Sequence, residues 1–302
     1  MEKNTMTLDK KNALDIQRPK LIVMPFQARD GQPFDGIGLG LHFFFGNLLG
    51  VHAGLMECWF GWRVKKIFPE PMLLTAYCRG NNLFPDIRAL GSREKVRFWL
   101  EGTYCRKGDK IFLDLVLHDT KEESASKICL SLGLSDGLLA GRNEFFDWLE
   151  TCGIPFVGIE KALWPEQISG RGLAFLGRGL ETLYLNYIQG RDNKETSADT
   201  DLIDLSWFDR SVEASTASYL AQDLRGWGLY KNGETVLAKK AFASALELNP
   251  EGIGALSGMM WCALGVHDRA GALHYAQLKA GCRGEDLEKA RTFVDKKFEA
   301  PS

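Results

Sequence analysis

Glu101 and Asp114 are the residues whose placement most suggests chemistry, because the turn Lys107-Gly108-Asp109 sets them on facing strands. Two neighbouring carboxylates can divide acid and base roles when their surroundings push their proton affinities apart. Arg97, Arg106 and Lys110 flank this pair, and the pattern reads more simply as outward-facing strand residues balanced by cations. Gly36-Ile37-Gly38-Leu39-Gly40 has the glycine content of a phosphate cradle. It lacks both the G-x-G-x-x-G spacing of a dinucleotide site and the Gly-Lys-Ser/Thr of a P-loop, so close helix–sheet packing is the expectation. His42 and His52, ten residues apart, do not share a helix face. His267 and His274, seven apart, could share one, but no carboxylate or thiolate at matching spacing completes a metal set. Cys262 near His267 suggests a ligand or a nucleophile–base pair without a third group to orient it. Arg171, Arg178 and Arg191 lie along one helix and read as a solvated face, although an anionic peptide would also suit them. The expectation is no catalytic residue, no metal, no cofactor and no enzyme activity.

The elements around these residues fall into two halves. Lys20 to Phe26 is a short apolar run, as for a strand buried on both faces. Asp35 then caps a helix with Ile37, Leu41, Phe44, Phe45 and Leu48 on one side. A strand over Cys58 to Phe68 and a helical stretch between Glu70 and Leu90 follow. Val96 to Arg106, Ile111 to His118 and Lys127 to Leu132 form an antiparallel series, and a helix from Asp136 stops at Gly153. The order β-α-β-α-β-β-β-α describes a mixed α/β sheet with flanking helices over residues 19–154, after a flexible tail at 1–18. Residues 155–170 form a docked linker, rich in Phe156, Leu163 and Trp164.

The second half, 171–298, carries a repeat. Phe208 to Thr216 returns as Phe242 to Pro250, and the spacing is that of a helix–turn–helix unit of roughly 34 residues, which must stack on neighbours to bury its apolar face. In the clearest unit Gly226 allows a close helix crossing, Gly233 ends the first helix, Ala238, Phe242, Ala245 and Leu246 line the second, and Pro250 closes it. Gly258, Trp261 and Gly265 stand two places short of a full period after Gly226, Leu229 and Gly233, whereas Ala272 and Ala276 stand a full period after Ala238 and Phe242. That mismatch predicts a shortened turn between units, compensated within the second helix. The helix of Leu173 to Tyr187, ending at Gly190, pairs across a polar loop with that of Trp207 and Phe208. Gly284 to Phe298 reads as a solubilising cap.

These residues resemble the tetratricopeptide family, whose units place Gly, Ala, an aromatic, Ala and Pro in that order. The first half resembles the TolB N-terminal-like domain, in its strand ending Pro25-Phe26, its Asp35-Gly36 helix start and its Phe98 to Gly102 strand feeding the Gly108-Asp109 hairpin. In bacteria that domain commonly precedes tetratricopeptide repeats in regulatory proteins, and it brings no catalytic residues. The resemblance implies an all-α solenoid whose first helices line a concave groove, here through Leu220, Asp223, Trp227, Tyr230, Lys231, Ala255, Met259 and Cys262. This lining is mostly aromatic and aliphatic, which suits an apolar protein or peptide segment.

Composition narrows the classes further. The 302 residues are 45% hydrophobic and 25% charged, as in an ordinary globular protein, and the net charge of −2 gives no footprint for nucleic acid or anionic lipid. The apolar window Leu39 to Trp62 contains His42, Asn47, His52 and Glu57, so membrane insertion is not expected. Seven cysteines without a Cys-x-x-Cys pair point to a reducing cytoplasm. The reading is a bacterial cytoplasmic adaptor or scaffold, compatible with a homodimer. The alternative is a small-molecule sensor or enzyme whose site lies at the carboxyl ends of the strands, near Phe26 to Asp35.

Overall fold

A computed structural model describes residues 19–29, 35–52, 56–57, 96–133, 142–154, 167–192 and 203–299. Its described residues form six strands and nine helices. The strands are β1 (Lys20–Val23), β2 (Gln27–Ala28), β3 (Met56–Glu57), β4 (Val96–Lys107), β5 (Lys110–Asp119) and β6 (Ser124–Gly133). Helix α1 (Ile37–His52) lies between β2 and β3, and α2 (Arg142–Thr151) follows β6. Then come α3 (Gly170–Asp192), α4 (Ser206–Ala214), α5 (Tyr219–Lys231), α6 (Thr235–Leu248), α7 (Ile253–Gly265), α8 (Arg269–Arg283) and α9 (Leu287–Glu299). The expected tail at 1–18, the second helix between Glu70 and Leu90, the strand at Cys58–Phe68, and the linker up to residue 166 lie outside the described residues.

The sheet is mixed, in the order β3-β1-β4-β5-β6, with β2 also on β4. Parallel pairs join β1 to β3 and β4, and the meander β4-β5-β6 is antiparallel. Alternation explains the meander: Ile111, Leu113, Leu115 and Leu117 are all buried, while Phe112, Asp114, Val116 and His118 face the other way. Gly108, at φ +58°, allows the tight return between β4 and β5. Asp35, the expected cap of α1, stands one residue ahead of the cap position, which Gly36 fills by accepting the Gly40 N–H at 3.0 Å. The Asp35 carboxylate still accepts the Ile37 N–H at 2.9 Å, and Tyr104 Oη donates to it at 2.6 Å.

One apolar cluster runs from Leu21 in β1 through α1, the sheet and α2 to Leu173, Phe208, Leu220 and Leu224 in the helical half. The expected boundary near residue 170 is therefore a change of architecture, not a break in packing. The glycine run makes the join. A Cβ on Gly36, at φ +86°, would overlap the Ala174 carbonyl of α3, and one on Gly40 would press on Leu173. Gly38 instead admits the Phe26 carbonyl. The expectation of helix–sheet packing thus holds for Gly38, whereas Gly36 and Gly40 serve a helix–helix crossing with α3, where Gly177 lies against Gly36. Opposite them, His42 is fully buried against the backbone of Val23 and Met24, and burial pushes its pKa down to about 4.

Candidate interaction surface

The helical half is built from hairpins: α3 packs on α4, α5 on α6 and α7 on α8, and α9 closes against α8. The recurrence is strict in the backbone. Helices α5, α7 and α9 start at Tyr219, Ile253 and Leu287, and α6 and α8 start at Thr235 and Arg269, so every step is one and the same full period. Hairpin turns repeat with them: Glu234 N donates to the Leu229 carbonyl at 2.9 Å, and Asp268 N to Ala263 at 2.9 Å, with Gly233 and His267 both at positive φ. This corrects the expected shortened turn, because no residue is missing between units.

Phenylalanines explain both the period and the misleading glycine. Phe208 sits between Gly179 of α3 and Gly228 of α5, and one period later Phe242 sits between Gly226 of α5 and Gly258 of α7. A Cβ on Gly226 would lie 2.5 Å from the Phe242 ring, and Gly258 meets the same ring from the next hairpin. Gly258 is therefore the other jaw of one clamp, not the counterpart of Gly226. A second clasp joins the units: Tyr219 Oη accepts the Ala255 N–H at 3.2 Å, and the buried Asp223 carboxylate faces Gly254 at the start of α7. Burial, with Asp223 beside it, raises the Tyr219 hydroxyl well above its usual range.

In the observed register the counterparts of Leu220, Asp223, Trp227, Tyr230 and Lys231 are Gly254, Ser257, Trp261, Leu264 and Gly265. Ala255, Met259 and Cys262 belong to other faces of α7 and are corrected on that ground. All three are buried, as are Leu220 and Asp223, so these five do not line an open groove. Leu220 packs in the cluster shared with the sheet. Trp227, Tyr230 and Lys231 remain at least partly accessible, and Ser257, Trp261 and Leu264 join them. Trp227 is also structural, standing edge-on to Phe242 at 5.4 Å and to Tyr230 at 5.9 Å. Trp261 is lighter in contacts, with Phe293 edge-on at 6.1 Å and Lys297 Nζ 5.6 Å above the ring. The signal that would have found Trp261 is present in the sequence: tryptophan recurs at one full period, at Trp227 and Trp261.

Candidate chemistry elsewhere is paired within the fold. Glu101 lies 2.8 Å from His118 Nε2, and His118 stacks on Trp99 at 4.5 Å. Asp114 pairs with Arg29, whose Nε also donates to Thr103 Oγ1 at 3.0 Å. The expected partners of the two carboxylates were Arg97, Arg106 and Lys110. Arg97 instead holds Asp119 through bonds of 2.9 and 3.2 Å. Burial alone would raise the Asp119 carboxyl, but these bonds, with the Lys121 and Glu122 N–H groups, keep it below its ordinary value. Cys262 Sγ faces the Thr235 carbonyl at 4.0 Å, and the His267 ring lies against Phe298. Burial pushes the Cys262 thiol up to about 11, so it is protonated at neutral pH and a poor nucleophile. Among the described residues no group of three His, Cys, Asp or Glu side chains could hold a metal, and no helix is long and apolar enough to cross a membrane. None of the five cysteines among them is in a disulfide.

A pocket of about 660 Å³ opens where the β4–β5 hairpin meets the start of α3, lined by Arg106, Asp109, Ser169 and Arg171 among others. Its polar groups are engaged: Ser169 Oγ accepts the Gly172 N–H at 3.0 Å, capping α3, and Ser169 N donates to Ser215 Oγ at 2.9 Å. Compared with known proteins, the chain matches no family model, no curated protein and no solved structure.

Proposed function

We propose that this chain is a bacterial cytoplasmic adaptor, a TolB-N-like α/β domain followed by a tetratricopeptide-like array that binds an apolar protein segment without covalent chemistry. The supporting observation is the constant offset that carries α5 to α7, α6 to α8 and α7 to α9, which brings Trp227 and Trp261 to the same position in consecutive units. Counting α3/α4, α5/α6 and α7/α8 as units leaves α9 as the cap. Large aromatics on such a face anchor ligands well, because they bury much area for little lost side-chain freedom. Between Phe26 and Asp35, residues 30–34 lie outside the described residues. Of the described charged groups there and on the facing strand, Arg29 pairs with Asp114 and Asp35 accepts from Tyr104, and the reading rests on the helical half.

Trp261→Ala tests it. Partners captured by the wild-type chain and identified by mass spectrometry should bind this variant at least tenfold more weakly, with its melting temperature within a few degrees of wild type. Trp227→Ala should lose both binding and stability, since Trp227 packs against two apolar clusters. Undiminished capture by Trp261→Ala would remove the proposal.

A further inference from the structure

The outer edge of the sheet offers a second interaction surface, independent of the groove. Among the described residues no strand pairs with β6 on its outer side. Its ten residues stay in register with β5 without a bulge, from Asp119↔Ser124 to Lys110↔Gly133. It contains no proline and a single charge, Lys127. Edges of this length are ordinarily broken by bulges, prolines or several charges, because their unpaired N–H and C=O groups invite another strand.

Which groups point outward follows from the opposite side of the sheet. Met24 N bonds the Leu100 carbonyl and Arg29 N the Tyr104 carbonyl, so the even residues of β4 turn their backbone to β1 and β2. Its odd residues must then bond β5. Carried across the pairs Thr103↔Asp114 and Leu113↔Leu130, this alternation directs the even residues of β6 to β5 and the odd residues outward. The outward set is Ala125, Lys127, Cys129, Ser131 and Gly133. It is symmetric about Cys129.

We propose that β6 pairs antiparallel with β6 of a second copy of this chain, centred on Cys129, to join two sheets into one. A two-fold axis perpendicular to the sheet keeps both apolar faces on the same side, which allows only registers pairing odd with odd residues. Of these, the register about Cys129 is the one that bonds all five outward residues. It places Lys127 opposite Ser131 of the other copy and so keeps the two lysines apart. It also sets Ile128 beside Leu130 on the face that already packs against the core. Self-complementarity of charge, register and face is what selects a second copy over an unrelated strand.

Sedimentation equilibrium of the full chain, with mild diamide oxidation, tests this. A hydrogen-bonded antiparallel pair holds its Cα atoms about 5.5 Å apart, within the roughly 4.4–6.8 Å that a disulfide spans. The expected result is a dimer in which diamide takes the two protons and two electrons of the facing thiols and leaves a Cys129–Cys129 link, mapped by peptide mass spectrometry. Cys129→Ser should still dimerise but not link. Ser131→Pro removes an outward N–H and leaves the β5 ladder intact, so it should weaken the dimer at least tenfold while the chain stays folded. Cys129→Glu, at an exposed site, should weaken it similarly by placing like charges face to face. A monomer at all concentrations would overturn the proposal. So would a dimer that neither variant weakens, one without the Cys129 link, or a monomer whose edge takes only a foreign strand.

Discussion

Gly177→Ala should destabilise the protein by about 3 kcal/mol or more, on the order of 10 °C in melting temperature for a chain of this size. In an isolated helix the same change would gain roughly 1 kcal/mol, because alanine loses less backbone freedom than glycine. Here the added Cβ would overlap the Gly36 carbonyl oxygen, and Gly36 is itself held at φ +86° by its own contact with α3. Backbone meets backbone, so no side chain can rotate away, and relief requires α1 and α3 to separate. That crossing joins the sheet to the helical half. The matched control is Gly281→Ala in α8, where a Cβ would meet nothing within 4 Å. That variant should melt at or slightly above the wild-type temperature. Equal melting of the two variants would refute the assigned packing of α1 on α3.

His42 gives the second large effect. Its folded pKa of about 4 lies below the unfolded value of 6.5, so the unfolded chain takes up a proton first as the pH drops. The resulting stability is fully present above pH 6.5, falls as the pH is lowered, and levels off near pH 4. Linkage across that window amounts to roughly 3 kcal/mol, of which about 2 kcal/mol is gone by pH 5. Asp119 acts in a different range. Its pKa is depressed, so its contribution is lost only on acidification through and below the ordinary carboxylate range. Urea melts at pH 7.5 and pH 5 should therefore differ by about 2 kcal/mol in wild type and by much less in His42→Leu. An unchanged difference in the variant would assign the titration to another group.

What the sequence made legible follows from the range of the interactions involved. The β4–β5–β6 meander was readable because alternation and a Gly108-Asp109 turn are local signals. Gly233 and Gly153, both at positive φ, end α5 and α2 where expected. Gly190 does not end its helix, since α3 continues to Asp192. The partners of Asp114 and Glu101 were not readable: the parallel pairing of β2 with β4 brings Arg29 next to a residue 74 positions away, Thr103. The register of the second hairpin failed for a subtler reason. Gly226 and Gly258 answer the same Phe242 ring from two helices, and sequence alone cannot say that two small residues serve one large one. Three of the eight expected groove residues, Ala255, Met259 and Cys262, fell on buried faces as a result.

The measurement that bears most directly on the interaction reading is site-specific photo-crosslinking to the captured partner. Ser257 lies on the face shared by Trp227 and Trp261, and Leu278 is an exposed position of α8 that is 44% accessible. Each is replaced in turn by a photo-reactive benzoyl-phenylalanine. The account predicts crosslinks from position 257, suppressed by Trp261→Ala, and none from position 278. Crosslinks from 278 alone, or equal yields from both, would contradict it.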